Sequence, residues 1–177
     1  MPSRQQARIG SASKNDLRIA LYYETAFNVL YESPKYQDEI VLPALFMARQ
    51  FLELGLKYNI RLLKDISKSS NLVSCLDNTH DLKRLHSAFV EHYTLAKKNK
   101  NLTKLEDEKY LNNLKRFVDH IVVIDHKSMG ARYSHDKDGN KMIDSKAEYD
   151  LSIIKSLLED MSSFFSAIEN IVIGIPE

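Results

Sequence analysis

A single cysteine, five glycines, four prolines and no tryptophan are spread over 177 residues, and each scarcity excludes something. One thiol, Cys75, leaves no internal disulfide framework and no multi-cysteine zinc site, and it suits a reducing compartment. So few glycines and prolines cannot punctuate a turn-dense all-β fold. No apolar run approaches the roughly 18 residues that a membrane-spanning helix needs. The stretch from Met1 to Asn15 is polar and lacks the apolar core of a secretory signal, so a cytoplasmic protein without a membrane partner is expected. Charge of one sign is lacking too: 25 Lys and Arg stand against 24 Asp and Glu, a net charge of +1. That balance excludes a strongly basic nucleic-acid glove but leaves room for a local patch.

What the chain does have is apolar periodicity, with 44% hydrophobic residues in a length that suits one domain with a substantial core. Residues 1–12, with Arg4, Arg8, Gly10 and Ser11, read as a flexible N-terminal arm, and 13–177 as a single domain. Ser13 and Asp16 have capping-box spacing, which predicts a helix from about Lys14 to Tyr31, ended by Ser33-Pro34. Tyr36–Val41 reads as a connector, with Pro43 in the first turn of a second helix running to about Asp65. That helix is apolar over most of its circumference, as a central helix would be. Thr79 is placed to cap a third helix that buries Leu82, Leu85, Phe89, Tyr93 and Ala96. Thr103 with Glu106 opens a fourth, and Ser145 with Glu148 a fifth. Between those two, Asp138-Gly139 is a hairpin signal. The expected architecture is all-α, a bundle of about five helices with one small β-hairpin between the fourth and fifth.

Candidate chemistry starts from the polar stripe of the second helix. Arg49, Glu53, Lys57 and Arg61 are each four residues apart and share one face. Such a stripe forms a solvated, salt-bridged surface. On a helix otherwise apolar it would instead face a cleft or partner, with Glu53 held ionised between two cations. Six histidines offer further chemistry, but none has the spacing of a metal-binding pair, and neither metal nor cofactor is expected. His86 and His92 fit hydrogen-bonded roles at the edge of the core. The Asp138-Gly139 region matches a calcium loop in its middle alone, since Ser134 and Ser145 occupy the two end positions. Cys75 has no neighbouring base in sequence, and Lys97, Lys98, Lys100 and Lys104 make a local basic patch.

The string from Pro43 to Lys57, followed by a polar loop and Thr79-His80-Asp81-Leu82, resembles the HEPN superfamily (higher eukaryotes and prokaryotes nucleotide-binding). So does Ala131-Arg132-Tyr133-Ser134-His135, which is similar to the Arg-Tyr hairpin of some HEPN-like bacterial proteins. The resemblance covers roughly residues 40–92 and 125–144. It implies a helical bundle that forms a homodimer and serves toxin–antitoxin, phage-defence or RNA-processing systems. Ribonucleases of the superfamily carry an Arg followed a few residues later by a His at a dimer cleft. Here seven residues separate Arg84 from His92, three separate Arg116 from His120, and two separate Arg132 from His135. The motif therefore does not carry over residue by residue.

Two readings follow. In one, the chain is a non-catalytic interaction or RNA-binding module, with RNA or protein as partner, whose polar cluster is Arg49, Glu53, Lys57, Asp81, Arg84 and Tyr133. In the other, it is a metal-independent ribonuclease in which His80, Arg132 and His135 bind phosphate and move protons. Either way Arg49, Glu53, His80 and Arg132 are expected to converge.

Overall fold

The computed structural model describes residues 15–99, 107–124, 138–139 and 148–174. Among them are five α-helices and no strand: α1 (Asp16–Tyr31), α2 (Gln37–Ser67), α3 (Leu82–Asn99), α4 (Glu108–Ile124) and α5 (Leu151–Ile173). The chain is thus an all-α bundle, as its periodicity predicts. The arm at 1–12, the capping candidates Ser13, Thr103, Glu106 and Ser145, and the strands expected around 131–144 lie outside the described residues. Within that last segment Gly139 adopts φ +80°, a conformation that glycine takes without steric cost.

α2 is the centre of the bundle and touches each of the other four helices. It can do so because apolar residues surround it: Ile40, Leu45, Phe51, Leu52, Leu56, Ile60 and Leu63 are all buried. Its start corrects the sequence reading. The expected connector at Tyr36–Val41 is helical from Gln37 onward, with Tyr36 the extended residue before it, and Pro43 lies inside the helix rather than in its first turn. An interior proline costs about 3 kcal/mol, chiefly through a carbonyl left without its partner. That carbonyl belongs to Glu39, an exposed residue, so water can take it. Asp38 and Glu39 also favour the positive end of the helix dipole, and buried Ile40 anchors the turn to the core.

Three caps are also corrected. α1 starts at Asp16 and its cap is Asn15, whose Oδ1 accepts from the Arg18 amide at 2.8 Å. The α3 cap is Asp81, whose Oδ1 accepts from the Lys83 and Arg84 amides at 2.9 and 3.1 Å. The Thr79 hydroxyl instead donates to the Cys75 carbonyl at 2.8 Å. At α5 it is Asp150 that accepts from the Ser152 amide, at 2.8 Å. Both aspartates sit closer to the first apolar residue of their helix than the residues chosen from spacing, where an acceptor meets the free N–H groups directly.

An aromatic group ties the helices together. Phe165 of α5 lies 6.0 Å from Phe51 of α2 and 6.0 Å from Phe89 of α3 between ring centroids. Phe164 stacks on Tyr110 of α4 at 5.1 Å. α2 and α5 approach closely at Gly55, where an added Cβ would lie 2.5 and 2.6 Å from two ring carbons of Phe165.

Candidate functional site

Three of the four residues in the α2 stripe are inside the protein. Arg49 is 2%, Glu53 4% and Lys57 5% exposed, so the solvated-face reading is excluded. What covers them is the segment between α2 and α3, which passes over the stripe from Asp77 to His80. The Glu53 carboxylate is the hub. Its Oε2 accepts from Arg49 Nη1 at 2.7 Å, and its Oε1 accepts from Lys57 Nζ at 3.0 Å. His80 Nδ1 lies 2.8 Å from the same Oε1.

The two cations also grip the covering backbone. Arg49 Nη2 donates to the His80 carbonyl at 2.8 Å, and Lys57 Nζ donates to the Asp77 carbonyl at 3.2 Å. One helical turn on, Arg61 pairs with both Asp16 at the start of α1 and Asp77. Asp77 was not a candidate from sequence. Its i,i+16 relation to Arg61 is set by the path of the loop, and no local pattern announces it.

Burial pushes the Glu53 carboxyl toward a higher pKa, but the hydrogen bonds from Arg49, Lys57 and His80 outweigh it and hold the group below its ordinary range. An ionised carboxylate can only accept, so His80 Nδ1 is the donor of that bond. The His80 side chain is 60% exposed, which leaves its Nε2 to solvent. The arrangement is an imidazole oriented from behind by a buried carboxylate, with its free nitrogen outward. In the neutral imidazole this nitrogen accepts a proton, and in the protonated form it donates to a phosphate oxygen.

The depressed Glu53 pKa sets a pH dependence. Because the folded value lies below the unfolded one, the stabilisation is complete above the unfolded pKa of about 4.3 and is lost as pH falls through the folded value. Urea midpoints of the wild type and Glu53→Gln should differ most near neutral pH and converge on acidification below about pH 4. A gap that stays constant down to pH 3 would show that the carboxylate charge is not what stabilises the fold.

Of the other sequence candidates, Asp81 is occupied in capping α3, and Arg84 is exposed on the first turn of that helix. Arg132, Tyr133 and His135 lie outside the described residues. The expected convergence therefore holds for Arg49, Glu53 and His80, and Arg132 falls outside what is described. His92 is fully buried and hydrogen-bonded as expected: Nε2 donates to the Asn71 carbonyl at 3.0 Å and Nδ1 meets the Ser67 hydroxyl at 2.8 Å. His86 is half-buried, and that burial lowers its pKa. Arg116 and His120 share the outer side of α4, beside an open groove of about 440 Å³ that Asp119 and Tyr149 also line.

Among the described residues no group of three or more His, Cys, Asp or Glu side chains is placed to hold a metal ion. No helix among them is long and apolar enough to cross a membrane. Comparison with protein-family models, with curated proteins and with solved structures finds no match to this chain.

Proposed function

We propose that the chain is a HEPN-like helical-bundle module that binds RNA without cleaving it, in a bacterial defence, toxin–antitoxin or stress system. The observation that carries this reading is the internal use of the polar stripe. Arg49 and Lys57, two cations of that stripe, are turned inward onto Glu53 and two loop carbonyls. Their role is to hold the loop that presents His80, and just beyond it the exposed Lys83 and Arg84, at the start of α3. These three side chains supply donors for phosphate contacts, which bind with little sequence preference and fade with salt.

Fluorescence anisotropy with a labelled single-stranded RNA of mixed sequence tests this at low salt. Lys83→Glu/Arg84→Glu and His80→Ala should each weaken binding, the former by about tenfold or more, with a shallower salt dependence. RNA binding that both variants retain in full would refute the assignment.

A second reading is favoured by one observation, the His80–Glu53 pair. In it the protein is a metal-independent ribonuclease that uses His80 as acid or base together with an unorthodox Arg132/His135 pair. Cleavage of an RNA pool in the presence of EDTA, lost in both His80→Ala and Arg132→Ala/His135→Ala, would establish that reading. Intact RNA after prolonged incubation with the wild type would dismiss it.

A further inference from the structure

The pairing of His80 with Glu53 fixes a tautomer as well as a position. An ionised Glu53 can only accept, so the 2.8 Å bond to its Oε1 keeps the proton of a neutral His80 on Nδ1. The carboxylate is itself held behind the ring, where it accepts from Arg49 and Lys57 at 2.7 and 3.0 Å. The His80 backbone is fastened too, since its carbonyl accepts from Arg49 Nη2 at 2.8 Å. The ring therefore cannot exchange its two nitrogens without breaking a bond to a buried charge. A neutral His80 turns a bare Nε2 lone pair toward solvent, and only the imidazolium turns an N–H there.

A phosphate oxygen is an acceptor, repelled by a second acceptor and bound by a charged donor. We infer that the RNA contact at the start of α3 is gated by a proton on His80, closed in the neutral ring and open in the imidazolium. This inference rests on the RNA reading and names the regulation of its site. In the open state the imidazolium lies between two anions, the Glu53 carboxylate behind it and a phosphate in front. Lys83 and Arg84, exposed on the first turn of α3, supply the contacts that do not need this proton.

The charges around His80 come from three elements. α2 sets Glu53 against Arg49 and Lys57. The covering segment adds Asp77, which Arg61 holds, and the start of α3 adds Asp81 beside Lys83 and Arg84. The Asp81 carboxylate is turned to the α3 amides. Glu53 is thus the acceptor that fixes the His80 proton. His86, half-buried further along α3 and within electrostatic reach of Asp119 and Lys115, is the control histidine.

Fluorescence anisotropy of the full chain with single-stranded RNA of mixed sequence, carrying a pH-insensitive dye, tests the gate from about pH 8 to about pH 5.5. His80→Gln and His86→Gln are measured beside the wild type, with circular dichroism to verify each fold. Wild-type affinity should rise about fivefold or more on acidification. The added contact should also steepen the salt dependence by about 0.7 in the log–log slope. His80→Gln should flatten the rise, and His86→Gln should keep it. Affinity that ignores pH in the wild type, or a rise that persists in His80→Gln, overturns the gate and leaves the RNA reading standing. No binding at any pH overturns both. Nitrogen-15 NMR of the free wild type checks the premise without a variant: near pH 8 the His80 proton should be on Nδ1. A proton on Nε2 there would remove the lone pair that closes the gate.

Discussion

Replacing Glu53 by alanine is expected to cost about 3–5 kcal/mol, a large share of the 5–15 kcal/mol typical of a whole domain. The reason is what remains behind. Arg49 and Lys57 are almost wholly buried, and each would keep its charge while losing the carboxylate that balances it. At ordinary urea dependences this shifts the unfolding midpoint by about 2 M. The size of the effect measures two buried cations deprived of Glu53, not the net worth of the cluster. The triple variant Arg49→Met/Glu53→Leu/Lys57→Met makes the distinction, because it removes all three charges and keeps the volume. Buried ion groups replaced in this way are often neutral or better. The triple variant should therefore be more stable than Glu53→Ala. It should also lose protection from amide exchange at residues 77–80, whose carbonyls Arg49 and Lys57 hold in the wild type. A triple variant as unstable as Glu53→Ala would show that the cluster contributes through its attractions and not merely through the cost of breaking it.

The same cluster shows how far the sequence could be read. Four polar residues at i,i+4 spacing fix a shared face of a helix, and the apolar remainder marks that helix as central. Spacing cannot say whether water or protein covers the face. Here the covering is done by backbone, through the carbonyls of Asp77 and His80, and carbonyls have no signature in sequence. Buried helix faces are more legible, since the period of α3 identifies Leu82, Leu85, Phe89, Tyr93 and Ala96, all of them buried. The helix starts were missed for a chemical reason. Ser, Thr, Asp and Asn all cap, and where two stand within a few residues the one nearest the free amides wins. Asp81 over Thr79 is such a choice. Pro43 misled in the same manner, since a proline marks a helix start only where the residues before it have no stronger reason to be helical. Buried Ile40 and the acidic pair Asp38 and Glu39 are that reason. For the site, His80 and Glu53 were legible as candidates, yet their pairing joins residues 27 apart and follows from the loop path alone.

Gly55→Ala should destabilise the protein although alanine is the better helix former. Helix propensity favours the substitution by about 1 kcal/mol at an unconstrained site. At this site the new methyl group would lie 2.5 Å from Phe165 Cε2 and 2.6 Å from Cδ2, well inside van der Waals contact. The ring has little freedom to move away. It is fully buried, and its neighbours Phe51, Phe89 and Phe164 are themselves fixed at centroid distances of 6.0, 6.0 and 6.4 Å. Relief must come from separating α2 and α5, which opens the interior that both helices help to close. Overpacking of this kind costs about 1–3 kcal/mol, and more for a β-branched residue, so Gly55→Val should be worse than Gly55→Ala. The contact can be isolated by a double-mutant cycle. Phe165→Leu alone loses packing, but in its presence the added methyl has room, and Gly55→Ala/Phe165→Leu should be more stable than the two single effects sum to. Strict additivity in urea midpoints would mean that something other than Phe165 requires glycine at position 55. A coupling of about 1 kcal/mol or more would identify this one ring as the reason α2 carries a glycine at its centre.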